Sequence, residues 1–264
     1  MDRLLARMRA VTWLLFFVLC IGAWVTLYSW SAGSGVDLLG FPVTPPMGQD
    51  MTGMDPAHGM MAMDRFGPLF GMWAVMMAAM MLPSFVPTVR IFMDLIEAEI
   101  ARPVGLAGLA AGYAVVWLGV AALLSVAQLA LIRLGLTGTM GQSLSPWFSA
   151  SLLMAAGLYQ FTDAKARCAR HCRNPMTHFL AAFRPGFRGG LRLGITTGLY
   201  CAGCCWGLMA IGFAGGTMSL LWMGLATVLM TLEKLPQIGR WLTAPIGIGL
   251  LALGCWVALR ALIG

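Results

Sequence analysis

Three cysteines fall close together in an apolar run: Cys201, Cys204 and Cys205, in Tyr-Cys-Ala-Gly-Cys-Cys-Trp. Spacings of three and four put side chains on one face of a helix. A helix here therefore carries three sulfurs side by side. Thiolates are soft ligands for Cu(I) and zinc, and thiols also exchange electrons as disulfides. A bare thiolate is costly in lipid unless a cation compensates it. The pattern points to a soft-metal site or a thiol relay, against the alternative that cysteine acts as a small packing residue. Met209, one turn past Cys205, extends the same face with a thioether.

Four further groups could bear chemistry. In Lys165-Ala-Arg-Cys168-Ala-Arg-His171-Cys172-Arg173 a helical turn aligns Cys168 with Cys172, and His171 lies beside them. Neighbouring cations favour thiolate, so this is a second metal or redox candidate, although two sulfurs and one imidazole do not complete a zinc site. The stretch 47–63 holds Met47, Met51, Met54, His58, Met60, Met61 and Met63. Thioethers bind Cu(I) and do not form disulfides, which suits capture in an oxidising compartment. In the run Gly71–Ser84, Met72, Met76 and Met80 form one stripe and Met77 and Met81 the adjoining one. That is either a thioether track or flexible core packing. Pro83 in the same run cannot donate to the backbone, which leaves a carbonyl for a neighbour to satisfy. Finally, Glu233 and Lys234 sit at the end of an apolar run. Glu233 is expected to pair with an arginine of the basic segment 162–192. Gln128, Tyr159 and Gln160 read as interhelical hydrogen-bonding groups.

These groups need helices in a membrane to hold them. The chain has 264 residues, is 59% hydrophobic and only 10% charged, against about 25% charged in a soluble domain. It reads as one all-α, polytopic membrane unit over 1–264. Runs long enough to span occur at about 11–30, 68–88, 106–132, 193–213, 216–233 and 243–261. A shorter one at 147–161 makes seven. The first run is long and aromatic without a small-residue cleavage pattern, so it reads as a retained helix.

With the N-terminus inside, fourteen of the 17 Lys and Arg fall on the inner side, leaving Arg65, Arg133 and Arg260 outside. This bias predicts N-inside, C-outside and an odd number of spans. It makes 31–66 a Met-rich outer loop and 162–192 a basic, Cys-containing inner loop. Within the latter, Thr177–Phe183 is apolar between basic residues and is expected to lie flat at the interface. The net charge of +7 follows the membrane pattern and is not a nucleic-acid signature. Seven cysteines with none in an outer loop argue against an extracellular disulfide framework.

Several of these motifs together resemble one bacterial family. They are the methionine run ending at Pro83-Ser84, and Tyr159-Gln160-Phe-Thr162 followed by Lys165, Cys168, His171, Cys172, Arg173 and Pro175. Gly198-x-Tyr200-Cys201-x-Gly203-Cys204-Cys205-Trp206 and Glu233-Lys234 complete the set. The combination resembles domain of unknown function 2182, described as predicted metal-binding integral membrane proteins, from about residue 68 to 250. The resemblance implies a multi-pass protein of the bacterial inner membrane that binds metal. The loop 31–66 lies outside it.

The leading expectation is a Cu(I)-handling membrane protein, engaged in transport or delivery, with lipid, the ion and a membrane or metallochaperone protein as partners. Zinc is the lesser alternative. No nucleotide-binding or phosphorylation motif supplies energy. A membrane thiol–disulfide or electron-transfer protein is the second expectation, and an assembly subunit of a larger membrane complex the third.

Overall fold

The computed structural model describes residues 2–33, 65–138, 143–174, 176, 179, 182–215 and 219–263. Its helices are α1 (Asp2–Gly33), α2 (Phe66–Glu97), α3 (Pro103–Arg133), α4 (Pro146–Tyr159), α5 (Asp163–Arg173), α6 (Gly186–Ala210), the short α7 (Gly212–Gly215), α8 (Leu220–Lys234) and α9 (Gly239–Ile263). Among the described residues there is no strand, only an isolated bridge between Thr137 and Ser143. Most of 31–66 and of Thr177–Phe183 falls outside the described residues.

Local chemistry explains where the helices start. Pro103 and Pro146 occupy first turns, where a missing N–H costs nothing. The side chains of Ser145, Thr162 and Ser219 each accept a backbone N–H at the start of α4, α5 and α8, replacing partners the first turn lacks. The basic segment is therefore a capped amphipathic helix over its first third.

A helix lies on each of the seven expected runs. Five are long and apolar enough to cross a membrane: α1 from Arg7, α2, α3, α6 and α9. The other two, α4 and α8, have 14 and 15 residues. At 1.5 Å per residue they are shorter than a hydrocarbon core of about 30 Å.

Glycines bring α3 and α6 into backbone contact. A Cβ on Gly108 would lie 2.2 Å from the Phe187 carbonyl oxygen, and one on Gly112 would lie 2.2 Å from that of Leu191. From the other side, Gly190 and Gly194 meet the carbonyls of Gly105 and Leu109 just as closely. Small residues permit this approach, and in lipid close packing is what holds helices together. Farther along α6, Gly198 faces Val116, Gly203 faces Cys168 and Gly207 faces Tyr159 and Ala156. Thus α6 is the hub that α3, α4 and α5 share.

Helix α2 continues without a break through Pro83 and Pro87. The carbonyl that Pro83 leaves without its helical donor is that of Ala79. Trp24 Nε1 of α1 donates to it at 3.1 Å, so a neighbouring helix fills the gap the sequence predicted. At the other end of α1, Arg9 Nη1 lies 2.5 Å from Glu97 Oε1.

Candidate metal centre

The three clustered cysteines of α6 are all buried, at 4%, 5% and 1% exposure for Cys201, Cys204 and Cys205. They point into the bundle and not to lipid. Cys204 Sγ lies 3.3 Å from Cys205 Sγ. It lies 3.6 Å from Cys172 Sγ of α5, and its thiol reaches the Cys201 carbonyl at 3.1 Å. The two thiol groups that look separate in sequence are thus one cluster drawn from two helices. Two sulfurs this close can both reach one ion at a metal–thiolate bond of about 2.3 Å.

Cys201 faces a different set of partners. Lys234 Nζ of α8 donates to its sulfur at 2.9 Å. Tyr113 Oη of α3 is 3.3 Å away, and Ser84 Oγ of α2 is 4.0 Å away. The Tyr113 ring stacks on Phe85 at 4.0 Å between centroids. Pro83 and Ser84 therefore sit beside the thiols, and four helices converge on one sulfur.

A buried ion pair supports the cluster from below. Lys165 Nζ donates to Glu233 Oε2 at 2.8 Å and to the Cys204 carbonyl at 2.6 Å. Both partners of the pair are buried, and Glu233 Oε1 has no hydrogen-bond partner among the described residues. The expected arginine partner for Glu233 is corrected to Lys165. Arg173 instead takes the Glu233 backbone carbonyl at 2.9 Å, along with Gly239 O and Thr243 Oγ1. The register of α5 explains this: Lys165 lies on the turn that faces α6 and α8, whereas Arg173 lies at the helix end beside the α8–α9 connection.

Cys168 and His171 make contacts of their own. Cys168 Sγ covers Gly203, and the His171 ring stacks on Tyr200 at 3.7 Å. Partial burial lowers the His171 pKa, which favours the neutral ring. A cavity of about 20 Å³ lies between Ser84, Tyr113, His171, Cys172, Cys201 and Lys234. That is room for one water-sized occupant. His171 and Tyr200 border both this cavity and an open cleft lined by Arg167, Cys168 and Arg170.

The methionine stripes are buried throughout. Met76, Met77 and Met80 line a larger apolar cavity of about 250 Å³ together with Met209 and Met223. Met72 is buried but does not line it. Above it, Trp73 Nε1 donates to Gln128 Oε1 at 2.8 Å, the interhelical role expected of Gln128. Tyr159 serves similarly, donating to the Gly203 carbonyl at 2.5 Å.

The family description copper chaperone, PpoB2, matches residues 70–257, well over half of the chain. The chain belongs to the PpoB2 copper chaperone family. No curated protein and no solved structure matches it. The match covers nearly the same residues as the expected resemblance, under a copper-handling description and not that of unknown function. Every side chain of the thiol cluster lies inside the stretch shared with the copper chaperones. Met47, Met51, Met54, His58, Met60, Met61 and Met63 lie before it, and outside the described residues. Among the described residues, no three His, Cys, Asp or Glu side chains converge as a ready-made metal cage.

Two members of this candidate site escaped the sequence reading, Tyr113 and the ion-pair role of Lys165. Lys165 left a signal: a lysine four residues before the Ala169 position that α5 buries lies on the apolar side of an otherwise basic helix. Tyr113 left one too, since it is the polar residue following Gly105, Gly108 and Gly112 on the face of α3 that meets α6.

Proposed function

We propose that this protein carries Cu(I) within a bacterial inner membrane, using thioethers to receive the ion and the Cys172/Cys201/Cys204/Cys205 cluster to hold it. The observation that supports this reading best is the approach of Cys172 and Cys204 from two helices to 3.6 Å, beside the Cys201 sulfur. Soft sulfur donors from separate helices, next to an ion-sized cavity, suit Cu(I) better than zinc, which uses thioethers poorly. Membership of a copper chaperone family supports the cargo. The methionine-lined cavity is the approach from the outer side, with Met209 one turn from Cys205. In this reading the chain spans seven times, N-inside and C-outside, with α4 and α8 as short spans. The loop 31–66 collects the ion, and delivery is to a membrane or soluble protein partner.

The test is elemental analysis of detergent-purified, reduced protein, followed by competition with a Cu(I) chelator. Wild type should retain copper. The variant Cys201→Ser/Cys204→Ser/Cys205→Ser should lose the tightest site. Retained wild-type affinity in that variant would move the site elsewhere.

The same 3.6 Å approach favours a second reading, a thiol–disulfide function in which Cys172 and Cys204 join across α5 and α6 and give two electrons and two protons to a quinone or a partner's disulfide. A protein that binds no copper but forms this bond reversibly, seen by peptide mass mapping, would establish it instead.

A further inference from the structure

The cluster contains two buried lysines and one buried carboxylate. Lys165 and Glu233 neutralise one another at 2.8 Å. Lys234 is left over. Among the described residues no carboxylate pairs with it, and its ammonium donates to the Cys201 sulfur at 2.9 Å. A buried positive charge without a counter-charge is expensive. The Cys201 sulfur, as a thiolate, is the negative charge beside it, so the pocket is balanced when its sulfurs and whatever they hold together carry one negative charge.

We infer that Lys234 determines the ion this site accepts, by matching a monovalent soft cation held between two thiolates. The inference rests on the copper reading above and deepens it. Two thiolates contribute −2 and Cu(I) contributes +1, so the complex carries −1 and Lys234 brings the pocket to neutrality. The thiol protons leave to solvent as the ion arrives, and no electron moves. Zn(II) between the same two thiolates is neutral, and the Lys234 charge stays uncompensated in a medium where it is costly. Zinc would need a third thiolate on the same ion to reach the same charge balance. Cys201 is one of the two sulfurs, because Lys234 is on it. Cys172, Cys204 or Cys205 supplies the other, and the charge balance is the same for each. Lys234 is a positioning and specificity residue, not a ligand.

The experiment compares wild type, Lys234→Met, Lys234→Gln and Lys234→Arg as full-length proteins in detergent. Cu(I) and Zn(II) affinities are each measured against a competing chelator. Both neutral variants should lose at least about tenfold in Cu(I) affinity relative to Zn(II), while Lys234→Arg keeps the wild-type ratio. Arg240→Met removes an exposed positive charge at the start of α9, outside the cluster, and should leave the ratio unchanged. An unchanged ratio in the neutral variants, or equal losses for both ions, overturns the inference while the copper reading stands. A wild type that binds no Cu(I) overturns both. X-ray absorption of the copper-loaded wild type gives an answer that needs no variant. Two sulfurs per copper are expected, and three sulfurs, a complex of charge −2, would overturn the inference.

Discussion

At the residue scale, the ion pair Lys165–Glu233 is the most exacting feature of the site. Removing one partner strands the other charge in the bundle, which costs about 3–5 kcal/mol. Lys165→Met should therefore lower thermal stability markedly, and Lys165→Met/Glu233→Gln should recover much of the loss. Thermal unfolding in detergent measures both. If the single and double variants melt together, the pair is not a coupled unit. His171 gives a milder prediction. Burial lowers its pKa, so its ring should titrate below the range of free histidine in a pH series by NMR. A raised value would mean that the ring meets an acidic partner instead. The thiol triad was legible at this scale, because three- and four-residue spacings fix a helical face whatever the tertiary fold. The joining of Cys172 to that triad was not. Periodicity reports which residues share a helix face, never which two helices meet.

At the element scale, the contact of α3 with α6 sets the geometry around Cys201, since Tyr113 follows directly on Gly112. A side chain at Gly112 would strike the Leu191 carbonyl and the Ile195 amide. These are backbone atoms that cannot swing aside. Gly112→Leu should force the helices apart, destabilise the protein by about 1–3 kcal/mol or more and weaken metal retention through displacement of Tyr113. Gly119, which has open space on the same helix, supplies the control Gly119→Leu, expected to be close to neutral in thermal stability. Equal effects at both positions would refute the close-contact account. The helices themselves were readable from their apolar runs, and Pro83 announced an orphan carbonyl. That Trp24 would fill it was beyond the sequence, because nothing local specifies how α1 lies on α2.

At the scale of the whole molecule, helix pairing gathers particular helix ends together. Arg9 meets Glu97, which brings the start of α1 beside the end of α2. Gly105 and Gly190 meet, which joins the starts of α3 and α6. Lys165 and Arg173 meet Glu233 and Gly239, which joins α5 to the end of α8 and the start of α9. These ends carry most of the Lys and Arg, and the few remaining ones, Arg65, Arg133 and Arg260, lie at the opposite ends of their helices. Positive charge stays on the cytosolic side during insertion. The thiol cluster should therefore open toward the cytosol, through the cleft bordered by His171 and Tyr200, and the methionine cavity toward the outside. The prediction is that a cysteine introduced at Gly48 reacts with a membrane-impermeant thiol reagent in intact cells. One introduced in place of Arg188 should react only after permeabilisation, each measured against the unmodified chain. Reaction in the reverse order would invert the path and make the thiol cluster the entry point for the ion instead of its exit.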